Sequence, residues 1–293
     1  MSEISKEIME RREHVNIALR SNDLPLLAIS GPCAPTIDNL HIHLPEGEKL
    51  RSAMKYISGL VTIDREPIWK PRSDPLKWPG MLASHGDLAR ALIEHKSRTN
   101  ANVAIEFGNK EQVEEFSPDV SFAWIGCRNE LASDLDYEAA VTDPLLPLGK
   151  KNGLSGEIDA ALKGIERMRD LRGSSGAEIA LIYRGGENAK TPEAWEVAYK
   201  DALARTDNRL IVDVAHGGEM AHDPSTKFTK SVIGQLACLG HVLRLAEEGF
   251  MPAGIHMESS DARSPIDPVI PFKDGINGIV NLRNIMWANY SNV

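Results

Sequence analysis

The sequence has few cysteines and few aromatic residues, and it has no long apolar run. Its three cysteines (Cys33, Cys127 and Cys238) are too scattered along 293 residues for a disulfide framework. No apolar stretch reaches the length of about 18 residues that a membrane-spanning helix needs. The N-terminal segment lacks the apolar core of a signal peptide. We therefore expect a cytoplasmic protein whose cysteines are thiols or metal ligands.

Basic residues are outnumbered by acidic ones, which limits the partners of the chain. It contains 33 Lys and Arg against 42 Asp and Glu, for a formal charge of −9. A general nucleic-acid-binding protein needs a basic face to meet phosphates, so this class is excluded. The hydrophobic fraction of 42% is that of an ordinary globular protein, which excludes a disordered chain.

Apolar runs of strand length alternate along the chain with stretches at helical spacing. The predicted strands are 24–30, 59–63, 103–107, 120–125, 145–148, 179–183, 210–214 and 253–257. The predicted helices are 3–19, 87–99, 157–171, 192–205, 231–248 and 275–288. This α/β pattern predicts a single (β/α)8 TIM barrel over residues 1–293, with a short N-terminal helical extension over residues 1–22. A doubly wound sheet competes, but the segment GPCAPT after the first strand is not the glycine-rich turn that such a sheet needs.

The ends of the predicted strands carry residues that can bind charge or metal. They are Cys33, Arg65, Glu106, Arg128, Lys151, Arg184, His216 and Glu258. A barrel places its active site at the C-terminal ends of its strands. One arginine in a loop is an ordinary solvated residue, but eight such positions in register indicate a site.

The basic residues of this set form one chemical group. With two neighbours they are Arg65, Lys70, Arg72, Arg128, Lys151 and Arg184. Gathered at one barrel mouth, they would repel each other unless a polyanion neutralised them. A small substrate with phosphate and carboxylate groups fits, because the planar fork of arginine suits both.

The other residues form a mixed set of metal ligands. Cys33, His216 and Glu258, with Asp274 shortly after, offer a thiolate, an imidazole and two carboxylates. Such a set suits Mn²⁺, Fe²⁺, Co²⁺ or Zn²⁺ better than Ca²⁺ or Mg²⁺. The structural alternatives are a packed thiol at Cys33 and a helix cap at Asp274.

Eight short motifs in a fixed order carry a resemblance to a known family. They are GPC (31–33), KPRS (70–73) with Arg65 upstream, EF (106–107), IGCR (125–128), KNG (151–153), RGG (184–186), AHGG (215–218) and MES (257–259). Over nearly its whole length the chain resembles the class I 3-deoxy-D-arabino-heptulosonate 7-phosphate (DAHP) synthases. The resemblance implies a metal-dependent, aldol-type condensation of phosphoenolpyruvate with erythrose 4-phosphate, or a related aldehyde, with release of phosphate. This transferase reaction belongs to aromatic amino acid biosynthesis by the shikimate pathway. The resemblance also implies a homo-oligomer whose partners are small-molecule substrates, with no nucleic acid and no membrane.

Carried over position by position, the resemblance implies a role for each motif residue. The metal ligands, with Mn²⁺ the first choice and Fe²⁺, Co²⁺ or Zn²⁺ as alternatives, are Cys33, His216, Glu258 and Asp274. The phosphoenolpyruvate-binding residues are Arg65, Lys70, Cys127, Arg128, Lys151 and Arg184. The catalytic residues are Lys70, Glu106 and His216, with Lys70 protonating the new alkoxide and Glu106 positioning a water or the enolpyruvyl end. The residues facing the aldehyde acceptor are Arg72, Ser73 and Asp74.

The chain departs from the family pattern where the acceptor is expected. KPR is followed by Ser73 and Asp74 instead of two threonines, and IGCR by Asn129 and Glu130 instead of Thr-Thr. We therefore expect the donor to be kept and the acceptor to differ. The N-terminal arm is short, and no added hairpin lies between the KNG and RGG motifs. From this we expect no inhibition by Phe, Tyr or Trp.

Two other functions compete with this interpretation. His41-Ile42-His43 is an H-x-H pair of the kind that binds metal in amidohydrolase barrels, but it follows a polar run and not a strand. We expect this pair in a surface loop or short hairpin. The second competitor is an inactive barrel that only binds an anion. His256, next to the MES motif, is expected to be a packed residue, and Cys238 a core residue.

Overall fold

Eight parallel strands close into a barrel in chain order. They are β1 (Leu26–Gly31), β2 (Leu60–Arg65), β3 (Val103–Phe107), β4 (Phe122–Ile125), β5 (Leu148–Lys151), β6 (Ile179–Tyr183), β7 (Leu210–Asp213) and β8 (Gly254–Glu258). β8 pairs with β1, which completes the ring. The computed structural model describes residues 4–20, 25–68, 85–99, 101–207, 209–217, 231–262, 264 and 269–291. The predicted (β/α)8 barrel is confirmed.

Helices surround the barrel and connect its strands. They are α1 (Lys6–Arg20), α2 (Leu40–Met54), α3 (Gly86–Arg98), α4 (Lys110–Phe116), α5 (Ser133–Val141), α6 (Asp159–Arg172), α7 (Pro192–Arg205), α8 (Val214–Gly217), α9 (Val232–Glu247) and α10 (Phe272–Ser291). The hydroxyl of Thr191 caps α7 by accepting from the backbone N–H of Ala194 at 3.2 Å, and Pro192 takes the first helical position. Within the described ranges, no helix is long and apolar enough to span a bilayer.

Side chains of the strands alternate between the barrel interior and the helix layer. The apolar interior is formed by Leu27, Ile29, Ile63, Ala104, Phe122, Trp124, Ala180, Ile182 and Ile211. Val15, Ala18 and Leu19 of α1 belong to the same cluster. The N-terminal helix therefore closes the barrel at the end where the strands begin, opposite the predicted site.

A buried arginine attaches α1 to this lower end. Arg12 donates through Nε to the carbonyl of Val120 at 3.1 Å and pairs through a terminal nitrogen with Asp143 at 2.9 Å. It also donates to the carbonyl of Ser117. The side chains of Arg12 and Asp143 are 1% and 7% exposed. The pair is therefore a structural connection between the helical extension and the loops that precede β4 and β5.

We expect Arg12→Ala to lower the free energy of unfolding by about 3 kcal/mol, because it leaves the buried Asp143 carboxylate without its ion-pair partner. Arg20→Ala is the control, since Arg20 pairs with Glu178 at 3.1 Å but is half exposed. It should cost less than about 1 kcal/mol. Urea unfolding of the two variants checks the prediction. Equal costs would show that Arg12 does not anchor α1.

Three parts of the predicted architecture are wrong in detail. The fifth strand is β5, which begins at Leu148, where the predicted run 145–148 ends. β5 escapes a search for apolar runs because it reads LGKK, with Lys150 paired to Asp136 in the helix layer. The H-x-H pair lies in helix α2 and not in a loop or hairpin, and α2 itself was not predicted, because Pro45 and Gly47 within it are typical helix breakers. The short helices α4 and α5 were not predicted, because neither is long enough to show a clear period.

Candidate active site

The same alternation places polar side chains inside the upper half of the barrel. Continuing the interior positions toward the strand ends gives Arg65, Glu106, Lys151, Arg184, Asp213, His256 and Glu258. All seven are buried. The apolar lower layers therefore end in a layer of charged and polar groups at the mouth, where the strand ends were predicted to carry the chemistry.

Arg65, the last residue of β2, belongs to this layer, and its side chain is 1% exposed. Its Nε donates to Nε2 of His256 at 3.0 Å, and a terminal nitrogen donates to Oε1 of Glu258 at 2.9 Å. The other terminal nitrogen donates to the carbonyl of Pro32. The guanidinium also lies over the ring of Trp124, with 5.5 Å between its central carbon and the ring centroid. A buried arginine with these contacts presents a fixed planar fork at the mouth.

Asp213, the last residue of β7, connects the cation side of the layer to the predicted metal side. Its Oδ2 accepts from Nζ of Lys151 at 2.6 Å and lies 2.8 Å from Nδ1 of His216. Its Oδ1 accepts from the backbone N–H of His216 at 3.2 Å. Burial alone would raise the pKa of Asp213, but His216, Lys151 and His256 outweigh it and hold the pKa well below the usual range.

His256 lies between Arg65 and Asp213 and is fully buried. Its Nδ1 is 3.3 Å from Oδ1 of Asp213, and its ring meets Trp124 edge-on with 5.4 Å between centroids. Burial lowers the pKa of His256 to about 4, and the nearby charges of Lys151 and Arg65 act in the same direction. The imidazole is therefore neutral at physiological pH.

Asn152 and Glu130 hold the loops of the IGCR, KNG and RGG motifs together. Asn152 accepts the backbone N–H of Arg184 at 2.9 Å and donates to the carbonyl of Gly185 at 3.0 Å. Glu130 accepts the backbone N–H of Gly153 at 2.7 Å. The basic residues at the ends of β4, β5 and β6 thus sit on loops that are tied to one another.

The IGCR loop brings its cysteine to the arginine of RGG. A terminal nitrogen of Arg184 lies 3.5 Å from Sγ of Cys127. Arg128 follows in a short 3-10 turn, Cys127–Asn129, and its side chain is exposed at the mouth. Arg128 is thus open to a ligand from solvent, whereas Lys151 and Arg184 lie deeper.

Two motif glycines permit close approaches at the mouth. A side chain at Gly31 of GPC would overlap the backbone carbonyl of Arg65 on the paired strand. A side chain at Gly126 of IGCR would overlap the carboxylate of Glu106, which packs across this position. These glycines are therefore needed to bring Arg65 and Glu106 into the site.

The predicted metal ligands are present at neighbouring strand ends but do not form a group in this structure. Cys33 follows β1, His216 lies in α8 directly after β7, and Glu258 ends β8. Asp274 lies in the first turn of α10. Among the described residues, no three His, Cys, Asp or Glu side chains form a group able to hold a metal ion. The residues fit a divalent transition ion in donor chemistry and in order around the rim, while Glu258 is engaged by Arg65.

Some predicted site residues fall outside the described part of the chain. They are Lys70, Arg72, Ser73 and Asp74, so the KPRS motif and the acceptor side keep the status of predictions. The H-x-H pair is described. His43 is buried in α2, with its Nδ1 3.3 Å from Glu46 and 3.1 Å from the hydroxyl of Ser260. The pair belongs to the helix layer, outside the ring of interior side chains.

Sequence reasoning missed Asp213 and left the position of His256 undecided. Asp213 stands within the apolar run LIVDV, where it looks like part of a strand. Its spacing of three residues before His216 was the available signal, because a carboxylate one turn before a histidine can orient its ring. Asn152 belongs to the KNG motif and Glu130 follows IGCR, but neither was given a role.

The family assignment follows from a comparison with known protein families. The profile of the DAHP synthetase I family matches residues 9–260. The chain belongs to the DAHP synthetase I family. It is therefore a transferase that forms a carbon–carbon bond, of the type that serves aromatic biosynthesis. The resemblance found in the motifs is confirmed.

Solved structures agree with this family membership at the level of the fold. The phospho-2-dehydro-3-deoxyheptonate aldolase from Francisella tularensis SCHU S4 superposes with a TM-score of 0.77, covering 97% of this chain and 93% of that chain. Sequence identity is 17%, so this likeness shows the barrel alone. No curated protein sequence matches the chain. The chain is thus a DAHP synthetase I barrel with a divergent sequence.

Proposed function

We propose that this DAHP synthetase I family member condenses phosphoenolpyruvate with an aldose phosphate, or a related aldehyde, in a reaction that depends on a divalent metal ion. The observation that carries the proposal is the interior layer itself. Arg65, Lys151 and Arg184 are three buried cations on different strands, and they converge on one mouth of an acidic protein. A dianionic phosphate and a carboxylate on one small molecule match this arrangement.

The interior residues explain how the donor is held and activated. Arg65, Lys151 and Arg184 would bind the phosphate and carboxylate and so fix the enol carbon toward the acceptor. This positioning contributes much of the rate, because two anionic substrates must be held against their repulsion. Glu106, buried against Gly126, would position the water that adds to the phosphate-bearing carbon. Lys70 keeps the role that the resemblance implies, protonation of the new alkoxide.

The reaction balances without a redox partner. C3 of phosphoenolpyruvate forms a bond to the aldehyde carbon, and the aldehyde oxygen takes up a proton. Water adds at C2, and phosphate leaves with the bridging oxygen, so that C2 becomes a ketone. A metal ion held by Cys33, His216, Glu258 and Asp274 would supply Lewis-acid polarisation of the aldehyde oxygen.

Asp213 supports the metal proposal because it contacts the ring of His216, the proposed histidine ligand. A histidine that binds a metal commonly donates its other ring N–H to a carboxylate, which fixes the ring orientation and its tautomer. Nδ1 of His216 meets Asp213 at 2.8 Å, which leaves Nε2 as the ligand atom. Mn²⁺ is our first choice, with Fe²⁺, Co²⁺ or Zn²⁺ as alternatives.

We expect the donor to be phosphoenolpyruvate and the acceptor to differ from erythrose 4-phosphate, because Asp74 puts a carboxylate where the family has threonine. The experiment is phosphoenolpyruvate consumption with Mn²⁺ and a panel of erythrose 4-phosphate, other aldose phosphates and unphosphorylated aldehydes. Asp74→Thr is the matched variant and should shift the preference toward erythrose 4-phosphate. Reaction with erythrose 4-phosphate alone would refute the altered acceptor. Consumption with no member of the panel would contradict the proposed function.

A further inference from the structure

We propose that His256 is a positioning residue: its imidazole accepts a hydrogen bond from Arg65, holds this arginine in place for the substrate anion, and lies between Arg65 and the Asp213 carboxylate. The inference rests on the proposed function, since it assigns Arg65 to phosphoenolpyruvate. It concerns a residue that neither a metal-ligand nor a substrate-binding role explains.

The direction of the hydrogen bond between Arg65 and His256 fixes the state of the imidazole. Nε of arginine carries a hydrogen at all relevant pH values and can only donate. Nε2 of His256, at 3.0 Å, must therefore be the acceptor and carry no proton. In the neutral ring the hydrogen then resides on Nδ1, the atom that lies 3.3 Å from Oδ1 of Asp213. The lone pair of the ring thus accepts from a cation, while its N–H is close to an anion but is not hydrogen-bonded to it.

The surroundings hold the ring in this orientation. His256 is fully buried, and Trp124 meets it edge-on with 5.4 Å between centroids. The same indole lies beneath the guanidinium of Arg65 at 5.5 Å. Trp124 therefore contacts both partners of the hydrogen bond, so the pair is fixed by packing as well as by polarity.

The hydrogen bond to His256 matters because the three nitrogens of the Arg65 guanidinium have different partners. Two terminal nitrogens reach Glu258 and the carbonyl of Pro32, and Nε reaches His256. A substrate anion approaching from the mouth would compete for the terminal nitrogens, one of which contacts Oε1 of Glu258. The contact to His256 is made by the nitrogen that a bidentate anion does not need. The contact to His256 therefore holds the guanidinium in one orientation while the terminal nitrogens change partners.

Two variants of similar size separate the two nitrogens of the ring. His256→Gln places an amide oxygen near the position of Nε2 and keeps an acceptor for Arg65. His256→Asn keeps a polar group near Nδ1, facing Asp213, and loses the acceptor for Arg65. His256→Leu removes both and retains an apolar contact to Trp124.

The readout is the Kd of phosphoenolpyruvate, measured by calorimetry on the metal-free full-length protein. A hydrogen bond to a charged group is worth about 1.5–3 kcal/mol, so His256→Asn and His256→Leu should weaken binding about tenfold to a hundredfold. His256→Gln should stay within about threefold of the wild type. In turnover, the KM for phosphoenolpyruvate should rise in His256→Asn while the KM for the aldehyde stays constant. Equal weakening in all three variants, or no weakening in any, would overturn the proposal.

Nitrogen NMR on the wild-type protein labelled at histidine, with His256→Gln to assign the signal, gives a second test that does not depend on substrate binding. The spectrum should contain a neutral imidazole with its hydrogen on Nδ1, and its signal should be absent from His256→Gln. The opposite tautomer would refute the inference whether or not the protein binds phosphoenolpyruvate. If instead the wild type fails to bind phosphoenolpyruvate while the NMR result holds, the proposed function is contradicted and the geometry of His256 is not.

Discussion

Replacing Arg65 with alanine should lower kcat/KM for phosphoenolpyruvate about a thousandfold, because removing one partner of a buried, hydrogen-bonded charge pair costs about 2–5 kcal/mol. Arg65 is 1% exposed and has contacts to Glu258, His256 and Pro32. Alanine removes the fork that would hold the substrate anion. It also leaves a carboxylate at the mouth that repels this anion. Both effects act in the same direction, so this is among the largest losses that we expect.

Arg65→Lys separates charge from geometry. Lysine restores a positive charge but not the planar fork, so it should recover only part of the loss and leave kcat/KM about tenfold to a hundredfold below the wild type. Arg283→Ala is the matched control, since Arg283 is an exposed arginine that donates to the carbonyl of Ser58 at 2.7 Å. Steady-state kinetics with varied phosphoenolpyruvate gives all three values. A substitution at Arg65 as mild as that at Arg283 would contradict its place in the anion site.

We expect removal of the metal ion to abolish turnover, and Mn²⁺ to restore it only while the proposed ligand set is intact. Cys33→Ala should weaken Mn²⁺ binding at least about a hundredfold, since loss of even an outer-sphere partner of a metal ligand costs about 10- to 100-fold. The expected signal is the free Mn²⁺ concentration, read by electron paramagnetic resonance during a titration. Activity after chelation and re-addition of Mn²⁺ is the second readout.

Cys238→Ala is the control for the metal prediction. Cys33 and Cys238 are both buried thiols, but Cys238 lies in α9 within the apolar layer outside the barrel. Its substitution should leave Mn²⁺ binding unchanged. Full turnover in the presence of chelator would refute metal dependence. Equal Mn²⁺ affinity of the two variants would remove Cys33 from the ligand set.

The sequence predicts the barrel because most strands are buried on both faces and therefore stand out as apolar runs. β3 and β6 begin and end at the predicted residues. β5 does not, because it contains two lysines and therefore looks polar. One lysine lies in the helix layer and the other at the mouth. The position of β5 is set by pairing with β4 and β6, which a single run of residues does not reveal.

Part of the membership of the candidate site is predictable from the sequence, and its contacts are not. Strand-end position identifies Arg65, Lys151 and Arg184, because the topology brings these ends together. The contacts of Asp213 and His256 depend on which face each residue takes and on which strands are neighbours around the closed ring. The register of β7 with β8, in which Asp213 is opposite His256, supplies that information. No pattern local to one strand contains it.

The proposed function requires the barrel to form a carbon–carbon bond between phosphoenolpyruvate and an aldehyde. The most direct test is carbon NMR of the products from phosphoenolpyruvate labelled with ¹³C at C3, incubated with Mn²⁺ and the acceptor that supports the fastest consumption. We predict a labelled methylene carbon whose protons couple to the proton on the former aldehyde carbon, together with one phosphate released per product. Labelled pyruvate as the only product would show simple hydrolysis and would contradict the account.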